Sequence, residues 1–256
     1  MHRSAFAHAV SALVFSAFAA SPALAIPVAV DLTGWTQEGS GTWTVQTGND
    51  SVLQTSNADP GVFYGPDNAL GQLLHGTIKV QTTSDDDFIG FVLGFVGGDL
   101  TAPTASTAYL LVDWKQNDQS PAVDGLAISL VTGGILGGLT NNAWQHTGTV
   151  SEIARGTNLG STGWADNTEY SFDLEYTASR VRIYVDGVLE IDITATDAGL
   201  SQFTAGAFGF YNYSQSNVLY AGITEANASV PLPATLPMLG VALGGLGLFV
   251  RRRSAA

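Results

Sequence analysis

The segment RVRIYVDGVLEIDI, residues 180–193, leaves its backbone little choice. Val181, Ile183 and Val185 alternate, Leu189, Ile191 and Ile193 alternate, and Asp186-Gly187 stands between the two runs. Alternation at period two puts each apolar triplet on one face of a strand. Asp-Gly between them supplies the positive φ that a two-residue hairpin turn requires. GTWTVQTG (41–48), with Trp43 and Val45 on one face, and YSFDLEY (170–176) also read as strands. FIGFVLGFV (88–96) is apolar almost throughout, as expected of a strand covered on both sides. AYLLVDWK (108–115), GLAISLV (125–131), AFGFYNY (207–213) and NVLYAGI (217–223) continue the series, and no window of about twelve residues between the chain ends repeats at 3.6. Many short strands with Gly, Asn and Asp between them predict an all-β domain over 26–228, a two-sheet sandwich of jelly-roll type. Gly133, Gly134, Gly137 and Gly138 read as a flexible loop, because neither G-K-[ST] nor a helix follows to cradle a phosphate.

Both ends read as addresses. His2 and Arg3 precede a small apolar run, and Ala23-Leu24-Ala25 fits the A-x-A cleavage pattern. A signal peptide over 1–25, cut after Ala25 by signal peptidase, is the expectation. At the other end, residues 229–256 hold a Pro-rich break, an uncharged run from 236 to 250, and Arg251, Arg252 and Arg253. Fifteen helical residues rise about 22 Å, short of a hydrocarbon core of about 30 Å. The run suits a transient insertion with the arginines on the cytoplasmic side. Val230-Pro231-Leu232-Pro233-Ala234, the apolar run and the arginine cluster together resemble the PEP-CTERM sorting signals of Gram-negative bacteria. That resemblance implies export across the inner membrane, cleavage by an exosortase and release to the cell surface or matrix; a plain tail anchor is the alternative.

Of nine Lys and Arg, four lie in the two ends, so 26–228 carries five against 22 Asp and Glu, a net charge of −17. Such a surface repels nucleic acid and anionic lipid and attracts divalent cations. With no cysteine, disulfides, thiolate metal sites and Cys catalysis are excluded.

Metal chemistry points to TSDDDF. Asp85, Asp86 and Asp87 repel one another at a strand entry, and calcium, which takes six to eight oxygens in irregular loops, converts that repulsion into attraction. In an extended chain Asp85 and Asp87 face one way and Asp86 the other. A solvated acidic turn is the competing reading. Asp118 and Asp124, in QNDQSPAVDG, are weaker co-ligands. His75 and His146 are isolated and lack zinc-ligand spacing. Trp144 and Trp164 lie in loop-rich stretches and are candidate sugar-stacking platforms, or core; Trp114 lies on a strand with Leu110 and Val112 and is read as core.

EIDI at 190–193 is similar to the E-I-D-I-x-E string that carries the catalytic carboxylates of laminarinase- and lichenase-type glycoside hydrolases. A retaining glycosidase needs a second carboxylate; on a strand residues i and i+4 share a face, and Thr194 stands where E-x-D-x-E would put it. Glu190 and Asp192 are therefore expected to form the polar face of a strand, with Ile191 and Ile193 inward. No G-x-S-x-G occurs.

Over about 85–223 the chain resembles the C-terminal lectin-like domain of thrombospondins. DDDFIGFVLGF is similar to that family's D-x-D-F-x-G-F-V-F-G-Y, and AYLLVDWKQ to its F-Y-V-V-M-W-K-Q. GLAISLV, NNAWQHTG, GWADNTEYSFDL and AGAFGFYNYSQSNVLYAGI follow in order. The resemblance implies a concanavalin A-like sandwich and bound calcium, and gives His146 a structural role. Asp113 departs from it, since the family strand is apolar there. The functional expectation is a non-catalytic, calcium-binding, lectin-like surface or matrix protein, acting in adhesion or on an extracellular polysaccharide or glycoprotein. The alternative is a glycan-active hydrolase of the same fold.

Overall fold

The structure, a computed structural model, describes residues 26–135 and 142–228. Its strands are β1 (Val28–Ala29), β2 (Thr36–Gly39), β3 (Trp43–Val45), β4 (Val52–Gln54), β5 (Gly61–Tyr64), β6 (Gln72–Val80), β7 (Phe88–Phe95), β8 (Tyr109–Lys115) and β9 (Gly125–Val131). A single helical turn, α1 (Asn142–Gln145), precedes β10 (Val150–Arg155), β11 (Glu169–Tyr176), β12 (Arg180–Val185), β13 (Val188–Thr194), β14 (Ala207–Tyr213) and β15 (Val218–Asn227). Two antiparallel sheets result. Sheet A runs β13-β12-β11-β6-β15-β4-β3, with β1 added on β15; sheet B runs β10-β9-β8-β7-β14-β5-β2. The expected all-β sandwich is what forms. Together these strands make one compact unit, Ala25–Ala228.

The two sheets are buried differently, and the sequence pattern shows why. On β6, Leu74, Gly76, Ile78 and Val80 are buried while Leu73, His75, Thr77 and Lys79 point away. Period two thus gives sheet A one face on the core and one open face. β7 and β8 are buried along their whole length. Phe91, Leu93, Leu110 and Val112 meet sheet A in the main core. Phe88, Val92, Tyr109 and Leu111 pack on the far side under Leu100, Ala122, Ile135 and Trp144. A continuous apolar run therefore marks the strands covered twice. Aromatic rings fill the space between the sheets: Phe91–Phe172 at 4.3 Å, Phe210–Tyr220 at 4.5 Å and Trp35–Phe210 at 5.2 Å between centroids. Burying each ring contributes on the order of 1.5–3 kcal/mol.

The β12–β13 hairpin forms as expected, with Asp186 at φ 48° and Gly187 at φ 75°. Its return strand differs from strict alternation. Ile183 pairs with Ile191 but Tyr184 pairs with Leu189, so Glu190 is an extra residue on β13. This bulge turns Leu189 outward, 39% exposed, and brings Glu190 and Ile191 inward together. The expectation that Leu189 shares a face with Ile191 and Ile193 is corrected by it.

Ala25, the motif Val230 to Ala234, the apolar run that follows it, and Arg251 to Arg253 lie outside the described residues, as do Gly137 and Gly138. Among the described residues no helix is long and apolar enough to cross a membrane.

Candidate functional site

The β6–β7 loop delivers the three aspartates to one end of the sandwich. Each offers a carboxylate oxygen within 4.8 Å of the other two, the only such group of three or more among the described residues. They are not equivalent. Asp87 immediately precedes β7 and is 4% exposed. Lys115 ends β8 in register with Phe88, so its side chain runs over the outer face of sheet B toward Asp87. Its Nζ donates to Asp87 Oδ1 at 2.7 Å, to the Asp86 carbonyl at 3.0 Å and to Gln119 Oε1 at 3.3 Å. The ammonium is fully buried between the rings of Trp144, 4.9 Å from its centroid, and Phe88, 5.3 Å. A buried ammonium without a counterion is costly by several kcal/mol, so Asp87 first serves Lys115. The rest of Asp87 is also engaged: its N–H donates to Gln215 Oε1 at 3.1 Å, and its carbonyl accepts Trp164 Nε1–H at 3.0 Å.

Asp85 and Asp86 are half-buried, and Asp86 Oδ1 also lies 3.5 Å from Lys115 Nζ. Asp85 accepts the Asp86 N–H at 3.2 Å and the side-chain amide of Asn57. Partial burial, then the charge of Asp87 and a carboxyl–carboxyl hydrogen bond with it, push Asp85 up to about 6. Lys115 thus compensates only part of the negative charge in this loop. The donor set fits calcium in kind, being hard oxygen throughout, with Asp85 free of Lys115, Asp86 at 3.5 Å from its ammonium, Asp87 bonded to it, and Asn57 adjacent.

The other expected site residues are placed elsewhere or turned inward. Asp118 and Asp124 are not members of the acidic group. The Asp124 N–H donates to Asp118 Oδ1 at 2.9 Å, and the Asp124 carbonyl accepts Arg155 Nη1–H at 2.6 Å, so the two close their own loop. Trp144 and Trp164 are each 2% exposed, which removes both as sugar-stacking platforms. Trp144 sits edge-on to Phe88 and Tyr213 and caps Lys115, and Trp164 anchors Asp87. Trp114 is core as expected, with its Nε1 donating to the Thr162 carbonyl at 2.8 Å.

Glu190 is not the outward polar residue expected. It is 3% exposed, and its carboxylate accepts the N–H groups of Asn158 at 2.8 Å and Leu159 at 3.0 Å and the Asn158 side-chain amide at 3.1 Å. A carboxylate committed to holding a loop is unavailable as a nucleophile. Asp192 does face outward, paired with Arg180. Thr194 closes the end of β13, its N–H and hydroxyl both donating to Asp197 Oδ2 at 2.7 Å.

Asp113, the departure from the thrombospondin pattern, has a partner. It is 1% exposed, and His146 Nε2–H donates to its Oδ2 at 2.9 Å while Nδ1–H donates to Glu152 Oε2 at 3.1 Å. Burial alone would lower the imidazole; the charge of Asp113 and its hydrogen bond, reinforced by Glu152, instead raise it to about 10. His146 is therefore a buried imidazolium that ties the end of α1 to β8 and β10 of sheet B. Sequence reasoning missed Lys115, Asn57 and Gln215. The available signal for Lys115 was a lysine ending a doubly covered strand opposite an acidic run.

The model of the family described as thrombospondin C-terminal region matches residues 38–227. Thrombospondin-3b of Danio rerio is 28% identical over 211 residues, covering 74% of this chain and 21% of that protein. Cartilage oligomeric matrix protein of Rattus norvegicus is 28% identical over 209 residues, covering 74% and 26%. The chain thus spans about a quarter or less of these relatives' lengths. Among solved structures, the carbohydrate binding module CBM66 from Bacillus subtilis superposes with a TM-score of 0.53 at 16% identity, covering 76% of this chain and 96% of that one. The exoplasmic/lumenal domain of VIP36 in its Ca2+/Man2-bound form gives 0.52 at 16%, covering 79% and 84%. At these identities the structures share the sandwich fold. The match across 38–227 and the ordered similarity to thrombospondins place this chain in the thrombospondin C-terminal region family.

Proposed function

We propose that this chain is a non-catalytic, calcium-binding, lectin-like protein of the cell surface or extracellular matrix, acting in adhesion or glycan binding. The observation that carries the calcium reading is the set of three carboxylates within 4.8 Å, which share a single buried cation, Lys115, paired with Asp87 at 2.7 Å and with Asp86 at 3.5 Å. Calcium, when bound, supplies charge neutralisation and cross-linking of the β6–β7 loop. Asp85 and Asp86 would hold it, and Lys115 keeps Asp87 in place. A glycan-active hydrolase is the weaker reading, because Glu190 is consumed by Asn158 and Leu159 and neither Thr194 nor Ala195 carries the second carboxylate. The extracellular setting is supported by the relatives, one of which is named a matrix protein. Export by signal peptidase and an exosortase, through a transient inner-membrane stage in a Gram-negative cell, rests on the two terminal sequences.

The test is thermal melting of the full-length chain at constant ionic strength. Ligand binding to the folded state stabilises by RT ln(1 + [L]/Kd), about 2.7 kcal/mol at a hundredfold excess. Millimolar calcium should raise the melting temperature by several degrees, with EGTA reversing the rise. Asp85→Asn with Asp86→Asn should abolish the response. Asp87 is unsuited to this test because its loss strands Lys115. An equal calcium response in parent and double variant would refute the assignment.

A further inference from the structure

The open face of sheet A is unlike the rest of the surface. Within 26–228, five cationic side chains stand against 22 carboxylates, yet three of the five, Lys79, Arg180 and Arg182, project from this face. They meet four carboxylates there, Glu169, Asp173, Glu175 and Asp192. The face is therefore close to neutral on a domain of −17. Both arginines are fixed in ion pairs, Arg182 Nη1 to Glu175 Oε2 at 2.7 Å and Arg180 Nε to Asp192 Oδ1 at 2.6 Å, and His75 Nδ1 is hydrogen-bonded to Asp173 Oδ1 at 2.8 Å. Cross-strand register sets Tyr184, Asp173 and His75 in one row over β12, β11 and β6. The row Asp192, Arg182 and Glu175 lies two residues along. Strand spacing makes each row about 10 Å long and the rows about 7 Å apart.

We propose that this face docks an uncharged polysaccharide; the proposal rests on the lectin-like reading and names its surface and ligand class. An anionic polymer meets no net positive charge here, and a cationic partner finds far more negative charge at the acidic loop than on an ion-paired face. What the face offers is paired donors and acceptors. Arg180 takes both oxygens of Asp192, but the His75–Asp173 pair leaves an edge open: among the described residues, no hydrogen bond reaches the second oxygen of Asp173 or the second ring nitrogen of His75. Such adjacent acceptors match the O–H donors of neighbouring hydroxyls, and holding them in place beforehand reduces the entropy lost on binding. Tyr184, half-buried beside the exposed Leu189, adds a ring surface for the C–H face of a sugar.

The test is affinity electrophoresis of the full-length chain through gels holding starch, mannan or β-glucan, with alginate as the anionic comparison. The variants are Tyr184→Ala and His75→Ala with Asp173→Ala, all at half-exposed or exposed positions, with folding checked by circular dichroism. Retardation by a neutral polymer, weakened at least tenfold in each variant, is expected. Retardation of parent and variants alike, or loss only in Asp85→Asn with Asp86→Asn, overturns this surface and leaves the lectin-like reading standing. Retardation by alginate alone overturns the ligand class. No retardation of the parent by any polymer overturns both this proposal and glycan binding itself.

Discussion

Raising the pH should destabilise this domain through one residue. His146 lies between Asp113 and Glu152, with Arg155, Lys115 and Tyr211 as the other titratable groups near this pair. Its pKa rises from 6.5 to about 10 on folding. A raised folded-state pKa contributes stability that is complete below 6.5 and lost as pH climbs through 10. Between those limits the unfolded chain has released the proton and the folded chain has not. The loss is then about 1.4 kcal/mol per pH unit, and the full shift corresponds to about 5 kcal/mol. From pH 7 to pH 9 the domain should lose about 2–3 kcal/mol, which for roughly 200 residues lowers the melting temperature by about 4–12 °C. The comparison is a double variant, Asp113→Asn with His146→Asn, which carries neither charge; Asn also tolerates the φ of 49° at position 146. Melting curves at pH 7, 8 and 9 should fall steeply for the parent and by several degrees less for the variant. Parallel lines would refute the buried imidazolium.

Further outcomes follow from the same contacts. Lys115→Ala should strand the Asp87 carboxylate and destabilise by about 3–5 kcal/mol in chemical denaturation, and Lys115→Met with Asp87→Asn should recover much of it. Glu190→Ala removes the acceptor for two backbone N–H groups and should lower the denaturation midpoint by an amount equivalent to about 2–4 kcal/mol. Mass spectrometry of protein recovered from the native cell surface should find neither residues 1–25 nor Arg251 to Arg253, and an intact C-terminus there would favour a plain anchor.

The sandwich was legible because its local signals agree with its packing. Asp186-Gly187 forms the turn it encodes, and the unbroken run 88–95 marks a strand covered on both faces. The bulge at Glu190 was not legible, since an extra residue in a ladder depends on the partner strand and leaves no period of its own. Trp144 stayed open between core and surface for a related reason: a single helical turn is too short to show a repeat, and what buries it comes from β7 and β14. The acidic run was visible, but its asymmetry was not. Lysine is seldom fully buried, and only the β7–β8 register brings Lys115 to Asp87. Asp113 was visible as a departure from the family strand; its partner lies 33 residues away, beyond any local pattern.

The central claim is that Asp85 and Asp86, with Asp87 anchored by Lys115, hold a calcium ion. Calorimetric titration of the full-length chain with calcium at fixed pH and ionic strength tests it most directly. Saturable binding in the parent, absent from Asp85→Asn with Asp86→Asn while the melting profile without calcium shows both proteins folded, is the predicted result. Equal affinity and stoichiometry in the two proteins would contradict it.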